Sequence, residues 1–310
     1  MTAGSFHLGA EAQAGDFVRQ DARFRNWVTA DGSSGFPAEP GRYHLYIALA
    51  CPWSHRTVIV RRLKRLEDVV GISYIDPYRD ERGWRFDGDR FVDDLHGWEY
   101  LSEAYQATEA GYSGRVSVPV LWDRETGQIV NNESADIIRI FNSEFDEWGD
   151  ASVDFYPASL RGEIDDWARF LYVNVNNAVY MAGFAKSQGA YDRAYRRLFD
   201  ALPVLESRLA ESRYLAGDGV TLADWRAFVT LVRFDAVYHT HFRCNGARIV
   251  DYPNLWAYTR ELYQLPGVAD TVDMDQIKLH YYTTHDELNP KRIIPAGPEN
   301  LDFWKPHGRG

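Results

Sequence analysis

The stretch Ala50-Cys51-Pro52-Trp53-Ser54-His55-Arg56 decides the reading of this chain. An apolar, β-rich run leads into it, Tyr43-His44-Leu45-Tyr46-Ile47-Ala48-Leu49, and a helix-like run, Thr57 to Leu66, leaves it. A cysteine therefore stands where a strand hands over to a helix. Proline suits the first helical position, where its missing N–H is unpaired anyway. The open N–H groups and the positive dipole end at a helix start favour a thiolate over a thiol. Three residues on, where a dithiol motif has its second cysteine, stands Ser54. The motif reads as a one-thiol redox site that takes its second thiol from solution. His55 lies within one helical turn of the sulfur, and capping or solvent contact is its expected role.

Working outward, the chain has 310 residues, which predicts two domains. Its net charge of −11 argues against nucleic acid as a partner, since binding there needs a basic face. The short basic run Arg61-Arg62-Leu63-Lys64-Arg65 is expected to be a solvated helix face. Two cysteines, Cys51 and Cys244, make no disulfide framework. No apolar run approaches the length of a membrane span, and the first residues, Met1-Thr2-Ala3-Gly4-Ser5, lack the pattern of a signal peptide. A reducing cytoplasmic location, away from membranes, is the expectation.

Residues 1–40 are polar and rich in glycine and proline, and predict an extended arm packed through Phe17, Phe24 and Trp27. A second strand is expected over Val70–Ile75, then a polar excursion over 76–97 and a helix over 98–110. Val116 to Trp122 and Gln128 to Val130 read as a hairpin around Asp123-Arg124-Glu125-Thr126-Gly127. Pro119 inside that strand predicts either an edge strand or a cis bond. Ile137, Ile138, Ile140 and Phe141 mark a helix, with Asn132 or Ser134 as its cap. The order β-α-β-α-β-β-α implies parallel pairing first and an antiparallel hairpin after it. From about residue 155 strand signals fade, and helices are predicted over 158–182, 190–210, 221–240 and 252–264. Thr221-Leu222-Ala223-Asp224 reads as a capping box with Asp in place of Glu. Prolines 290, 295, 298 and 306 predict an extended tail. His239-Thr240-His241-Phe242-Arg243-Cys244 offers imidazoles and a thiol, but a zinc site lacks a local fourth ligand, and no metal is expected.

Cys-Pro-x-Ser at the first corner, Val-Pro at the third strand, Glu-Ser at the last helix start and Thr-Leu-Ala-Asp in an all-helical second half together resemble a glutathione transferase. Cys51 to Arg56, Gly83-Trp84-Arg85-Phe86, Ser117 to Asp123, Asn132-Glu133-Ser134 and Tyr180 to Ala185 resemble more narrowly the xi class, the glutathionyl-hydroquinone reductases. So do His280-Tyr281-Tyr282-Thr283-Thr284-His285 and Ile294-Pro295-Ala296-Gly297-Pro298. The resemblance implies an α/β plus all-α chain. Its expected parts are an N-terminal extension (1–40), a thioredoxin-like glutathione-binding domain with a mixed four-stranded sheet (41–148), a helical domain (155–285) and an extended tail (286–310). It implies a homodimer, glutathione as co-substrate, and release of hydroquinone and oxidised glutathione through a Cys51–glutathione mixed disulfide.

The resemblance also assigns residues. Trp84, Arg115, Val118, Glu133 and Ser134 are expected to hold glutathione. Val118 would pair with its backbone, Ser134 would meet the γ-glutamyl carboxylate at a helix start, Glu133 its ammonium, and Arg115 the glycyl carboxylate. Tyr180, Tyr281 and Tyr282 are expected to meet the hydroquinone, with Tyr191 as a weaker extra candidate there, and Cys51, Tyr180 and Tyr281 are the catalytic candidates. Two other readings use the same fold: an omega-like thiol transferase or dehydroascorbate reductase, and a non-catalytic binding module.

Overall fold

A computed structural model describes residues 14–299 and 301–310. The chain divides into two compact units. One comprises 22–154 with 266–286. The other comprises 155–265 with 287–310 and, among the described residues, 14–21.

The first unit follows the predicted order. Strand β1 (Tyr43–Ile47) leads to helix α1 (Pro52–Leu63), then β2 (Gly71–Tyr74), α2 (Ser102–Thr108), β3 (Val120–Asp123), β4 (Gln128–Asn131) and α3 (Ser134–Ser143). The sheet runs β2-β1-β3-β4. β1 pairs with β2 in parallel, while β3 is antiparallel to both β1 and β4. Every residue of β1 is buried, because α1 and α3 pack together while the opposite face meets Trp84, Phe86, Leu101 and Tyr105. The Val118–Pro119 bond is cis, and β3 is an interior strand. Of the two readings of Pro119 the edge strand is therefore wrong; the proline sits just before the ladder, where its missing N–H costs nothing.

The arm lies along the outer side of β4: Asn26 N–H donates to the Val130 carbonyl, and Phe24 and Asn132 exchange hydrogen bonds. Phe24 packs on Tyr105 and Tyr112, as the arm reading expects. The basic run is not a solvated face. Lys64 is fully buried and pairs with Asp146 at 2.7 Å and the Val153 carbonyl at 2.7 Å, and Arg61 is buried on the Val70 and Glu67 carbonyls. Only Arg62 and Arg65 of that run face solvent, because α1 is covered on most sides. Helix α9 (Met274–Thr284), which no periodicity announced, belongs to this unit and is capped by Asp273, whose side chain accepts from Gln276 N–H at 2.9 Å.

The second unit is helical: α4 (Arg161–Leu171), α5 (Ala178–Gly183), α6 (Gln188–Glu211), α7 (Leu222–Arg233) and α8 (Pro253–Gln264). Two predicted helices are broken by π-helical turns, Tyr172–Asn176 and Phe234–Tyr238. Asn176 fills the first break by donating to Arg226 O and Thr230 Oγ1 at 2.8 and 2.7 Å, satisfying backbone and side chain of α7. Asp224 reaches back to Thr221 N–H at 2.7 Å, the predicted cap, and also accepts from Leu215 N–H and Tyr258 Oη. Fully enclosed, its carboxyl is pushed up by desolvation despite those donors. The tail contains no helix or strand among its described residues.

Candidate functional site

At the end of β1 the chain turns tightly: Cys51 N–H donates to the Ala48 carbonyl at 3.0 Å, and the Cys51 carbonyl accepts from His55 N–H at 2.9 Å. Cys51 is thus the residue that caps α1, with Pro52 at the first helical position as the sequence predicts. Its thiol is free and partly exposed, and Sγ lies 3.8 Å from the Val118 carbonyl. Ser54 is fully buried, so the position of a second thiol faces inward. His55 is neither a cap nor a solvent contact. Its ring is buried, with Nε2 2.8 Å from Thr271 Oγ1, because the turn after Cys51 aims that side chain into the unit.

Facing this corner is Val118, whose N–H has no hydrogen-bond partner among the described residues. An extended backbone therefore finds an open donor and an acceptor on one residue, beside the thiol. Glu133 and Ser134 follow β4. The cap of α3 is Glu133, not Asn132 or Ser134: its carboxylate accepts from Ala135 N–H at 2.9 Å, while Ser134 is the first helical residue. Sequence reading gave no role to Arg56, which organises this end. Buried, it donates to Ser134 Oγ from Nε at 3.1 Å and Nη2 at 2.6 Å, and to Glu133 Oε1 at 3.5 Å. With its lone pairs taken by Arg56, Ser134 keeps its O–H to donate. A carboxylate at the start of α3 would meet that donor and a positive dipole end together. The signal for Arg56 was its place among Thr57, Val58, Ile59 and Val60: a cation in a buried helix segment needs a partner.

Trp84 is buried and stacks on His280 of α9, centroids 5.0 Å apart and 14° between planes. His280 Nδ1 lies 2.7 Å from the Pro77 carbonyl. Tyr281 and Tyr282 follow on α9, both almost fully buried, with the Tyr281 ring edge-on to His280 and His285. Arg115 is exposed, on the loop before Val118, and its carbonyl accepts from Tyr112 Oη at 3.0 Å. The first unit thus carries Cys51, Trp84, Arg115, Val118, Glu133, Ser134, Tyr281 and Tyr282.

Tyr180 belongs to the second unit, on α5. Its ring packs with Phe184, Tyr238 and Phe242, and the Arg19 guanidinium lies 4.7 Å above it. Tyr191 donates its hydroxyl to the Arg243 carbonyl at 2.7 Å, which gives it a structural task. His241 and Cys244 are both buried. Burial lowers the His241 ring to about 4 and pushes the Cys244 thiol far up, so the one is neutral and the other stays protonated. Among the described residues no group of His, Cys, Asp and Glu is arranged to hold a metal ion.

A four-stranded mixed sheet with a cysteine at its first helix start, joined to an all-helical unit, is the arrangement of the glutathione transferases. The profile for the glutathione S-transferase N-terminal domain matches residues 50–144, and that for the C-terminal domain matches 188–261. Glutathionyl-hydroquinone reductase YqjG of Escherichia coli is 49% identical, covering 96% of this chain and 94% of its own. Glutathionyl-hydroquinone reductase PcpF of Sphingobium chlorophenolicum is 47% identical over 93% of this chain and 91% of its own. The structure of YqjG with glutathione bound superposes with a TM-score of 0.90, 50% identity and coverage of 92% and 96%. The chain therefore belongs to the xi-class glutathione transferases, the family of these reductases.

Proposed function

We propose that this protein reduces glutathionyl-hydroquinones to hydroquinones and releases oxidised glutathione. The observation that carries the reading is a free, partly exposed Cys51 at the start of α1, facing the open backbone of Val118, in a chain about half identical to two such reductases. The Cys51 thiolate attacks the sulfur of the conjugate. The S–S bond forms as the aryl C–S bond breaks, and the ring carbon takes up a proton. A second glutathione thiolate attacks the bound glutathione sulfur, returning Cys51 as thiolate and giving oxidised glutathione. Since Ser54 cannot resolve the mixed disulfide, that thiol must come from solution.

In this reading Val118 pairs with the peptide backbone of glutathione, and Ser134 donates to the γ-glutamyl carboxylate under the hold of Arg56. Glu133 meets the ammonium, Arg115 the glycyl carboxylate, and Trp84 the peptide. Tyr281 and Tyr282, together with Tyr180, serve the hydroquinone, where a phenolic hydroxyl donates to a quinol oxygen. A cytoplasmic homodimer completes the proposal. Among the described residues no helix is long and apolar enough to cross a membrane.

The test is turnover of glutathionyl-menadiol with glutathione, reading hydroquinone and oxidised glutathione in equal amounts. Faster turnover of dehydroascorbate than of any aromatic conjugate would give the omega-like reading the site instead.

A further inference from the structure

Strands β1 and β2 are parallel, and β3 runs antiparallel to β1 with Val120 opposite Tyr46. The chain therefore leaves β1, leaves β2 and enters β3 at one end of the sheet, the end at which open α/β sheets take their ligands. The Cys51 corner follows β1, Val118 precedes β3, and the turn Asp76-Pro77-Tyr78-Arg79 follows β2. Trp84 and Val118 belong to one apolar cluster, and Cys51 packs against it. The turn is fixed. Asp76 N–H donates to the Arg85 carbonyl at 3.1 Å, and the Asp76 carboxylate accepts from Tyr78 N–H at 2.8 Å. Two contacts tie it to α9, the helix that carries Tyr281 and Tyr282. Arg79 N–H donates to Thr284 Oγ1 at 3.4 Å, and the Pro77 carbonyl lies 2.7 Å from His280 Nδ1. The Arg79 guanidinium lies 5.8 Å from the centre of the Trp84 ring, which itself stacks on His280.

Arg79 differs from the other arginines of its segment. Arg85 pairs with Asp76 at 2.7 Å, Arg90 reaches Asp273 at 4.0 Å, and exposed Arg82 lies over the Tyr100 ring. Arg79 is half-buried, and its guanidinium makes no hydrogen bond or ion pair among the described residues. The acids beside it in sequence are engaged elsewhere, Asp76 with Arg85 and Asp80 with Tyr100 Oη at 2.7 Å. Burial lowers its hold on the proton, yet a guanidinium stays charged at physiological pH. A half-enclosed cation without an anion is a cost to the fold. Its planar fork matches a carboxylate with two parallel hydrogen bonds.

We propose that Arg79 is a subsite for an acidic ring substituent, which makes this chain favour conjugates whose hydroquinone carries a carboxylate. The proposal rests on the reductase reading for the placement of the ring along α9. In that reading the carboxylates of glutathione are already met, one by Ser134 and the other by Arg115. The guanidinium stands where the indole that serves the peptide stacks on the helix that serves the ring, so the anion left for it belongs to the aromatic part.

The experiment is calorimetry on the full-length protein with inert thioethers, S-benzylglutathione and the meta and para isomers of S-(carboxybenzyl)glutathione, and with glutathione itself. Wild type should bind the better carboxylated isomer about tenfold more tightly than Arg79→Met does, while S-benzylglutathione and glutathione differ by no more than about twofold. Arg79→Lys should recover part of the difference, since an ammonium supplies the charge without the fork. In turnover, Arg79→Met should raise the KM for a ring-carboxylated glutathionyl-hydroquinone about tenfold and leave that for glutathionyl-menadiol unchanged. Equal affinity of wild type and folded Arg79→Met for both carboxylated thioethers would overturn the proposal. So would a tenfold loss shared by every ligand, glutathione included, which would place Arg79 on a glutathione carboxylate. Selective loss of the carboxylated thioether in a protein that turns over no hydroquinone conjugate would uphold the subsite and remove the reductase reading.

Discussion

Cys51 follows a strand and opens a helix, partly exposed, with the Val118 carbonyl 3.8 Å away. Cys244 lies in the helical unit, fully buried, its thiol donating to the Phe242 carbonyl at 3.8 Å. The two sulfurs have near-identical carbonyl neighbours and opposite fates. Burial keeps Cys244 protonated, the nearby charge of Arg243 opposing it only weakly. What makes a cysteine a reagent is therefore the surrounding chain: a place at a helix start and access from solvent.

The largest effect that can break this contrast is removal of each sulfur in turn. Cys51→Ala should lower reductase turnover by about 10³-fold or more, because the covalent route disappears, while glutathione binding survives. Cys244→Ala should leave kcat/KM within about twofold, since a buried protonated thiol is only a small packing group. Intact mass after incubation with oxidised glutathione should place the adduct on Cys51; an adduct on Cys244 of the folded protein would reverse the assignment.

Arg56 sets the next effect. Its two short bonds to Ser134 fix the hydroxyl as a donor toward the start of α3. Arg56→Met should raise the KM for glutathione about tenfold, with a smaller change in kcat, as expected when a charge-assisted contact that positions a ligand group is lost. Arg56→Lys should rescue little, because an ammonium cannot present the same planar fork. An unchanged KM in a folded Arg56→Met variant would detach Ser134 from glutathione.

The legibility of this chain follows the range of the interactions. The Cys51 corner is local: a β-branched and aromatic strand, one proline and a helical run state it within fifteen residues, and the structure keeps it. The element order of the first unit was legible for the same reason, as was the Thr221–Asp224 cap. Arg56 and Lys64 were misread or passed over because a basic residue on a helix is normally solvated. What buries them is α3 and the segment around Asp146 and Val153, far along the chain. Helix α9 lacks a clean apolar stripe, yet Asp273 with Gln276 three residues on was a readable start signal.

The smallest expected effect compares the two units by their buried histidines. Burial lowers His44 of β1 to about 4, against a weaker pull from Asp93, and likewise lowers His241, three residues before Cys244, to about 4. Unfolded, each ring takes up its proton near pH 6.5; folded, it resists until about pH 4. The unfolded state thus binds more protons in this window, so stability is fully present above pH 6.5 and is lost as pH falls through it, ending below pH 4. Each ring should cost about 2 kcal/mol between pH 7 and pH 5. Asp224 and Asp235, raised by burial, act in the opposite direction, so the wild-type curve alone does not isolate the rings. The difference between wild type and His241→Gln in urea midpoint does, because the carboxyls are common to both. That difference should narrow or reverse toward pH 5 as the histidine penalty grows in the wild type alone. The same comparison with His44→Gln asks whether the unit holding Cys51 pays it too. Parallel curves for wild type and His241→Gln would mean that the helical unit admits water to this ring, and would weaken the claim that Cys244 beside it is sealed off from reagents.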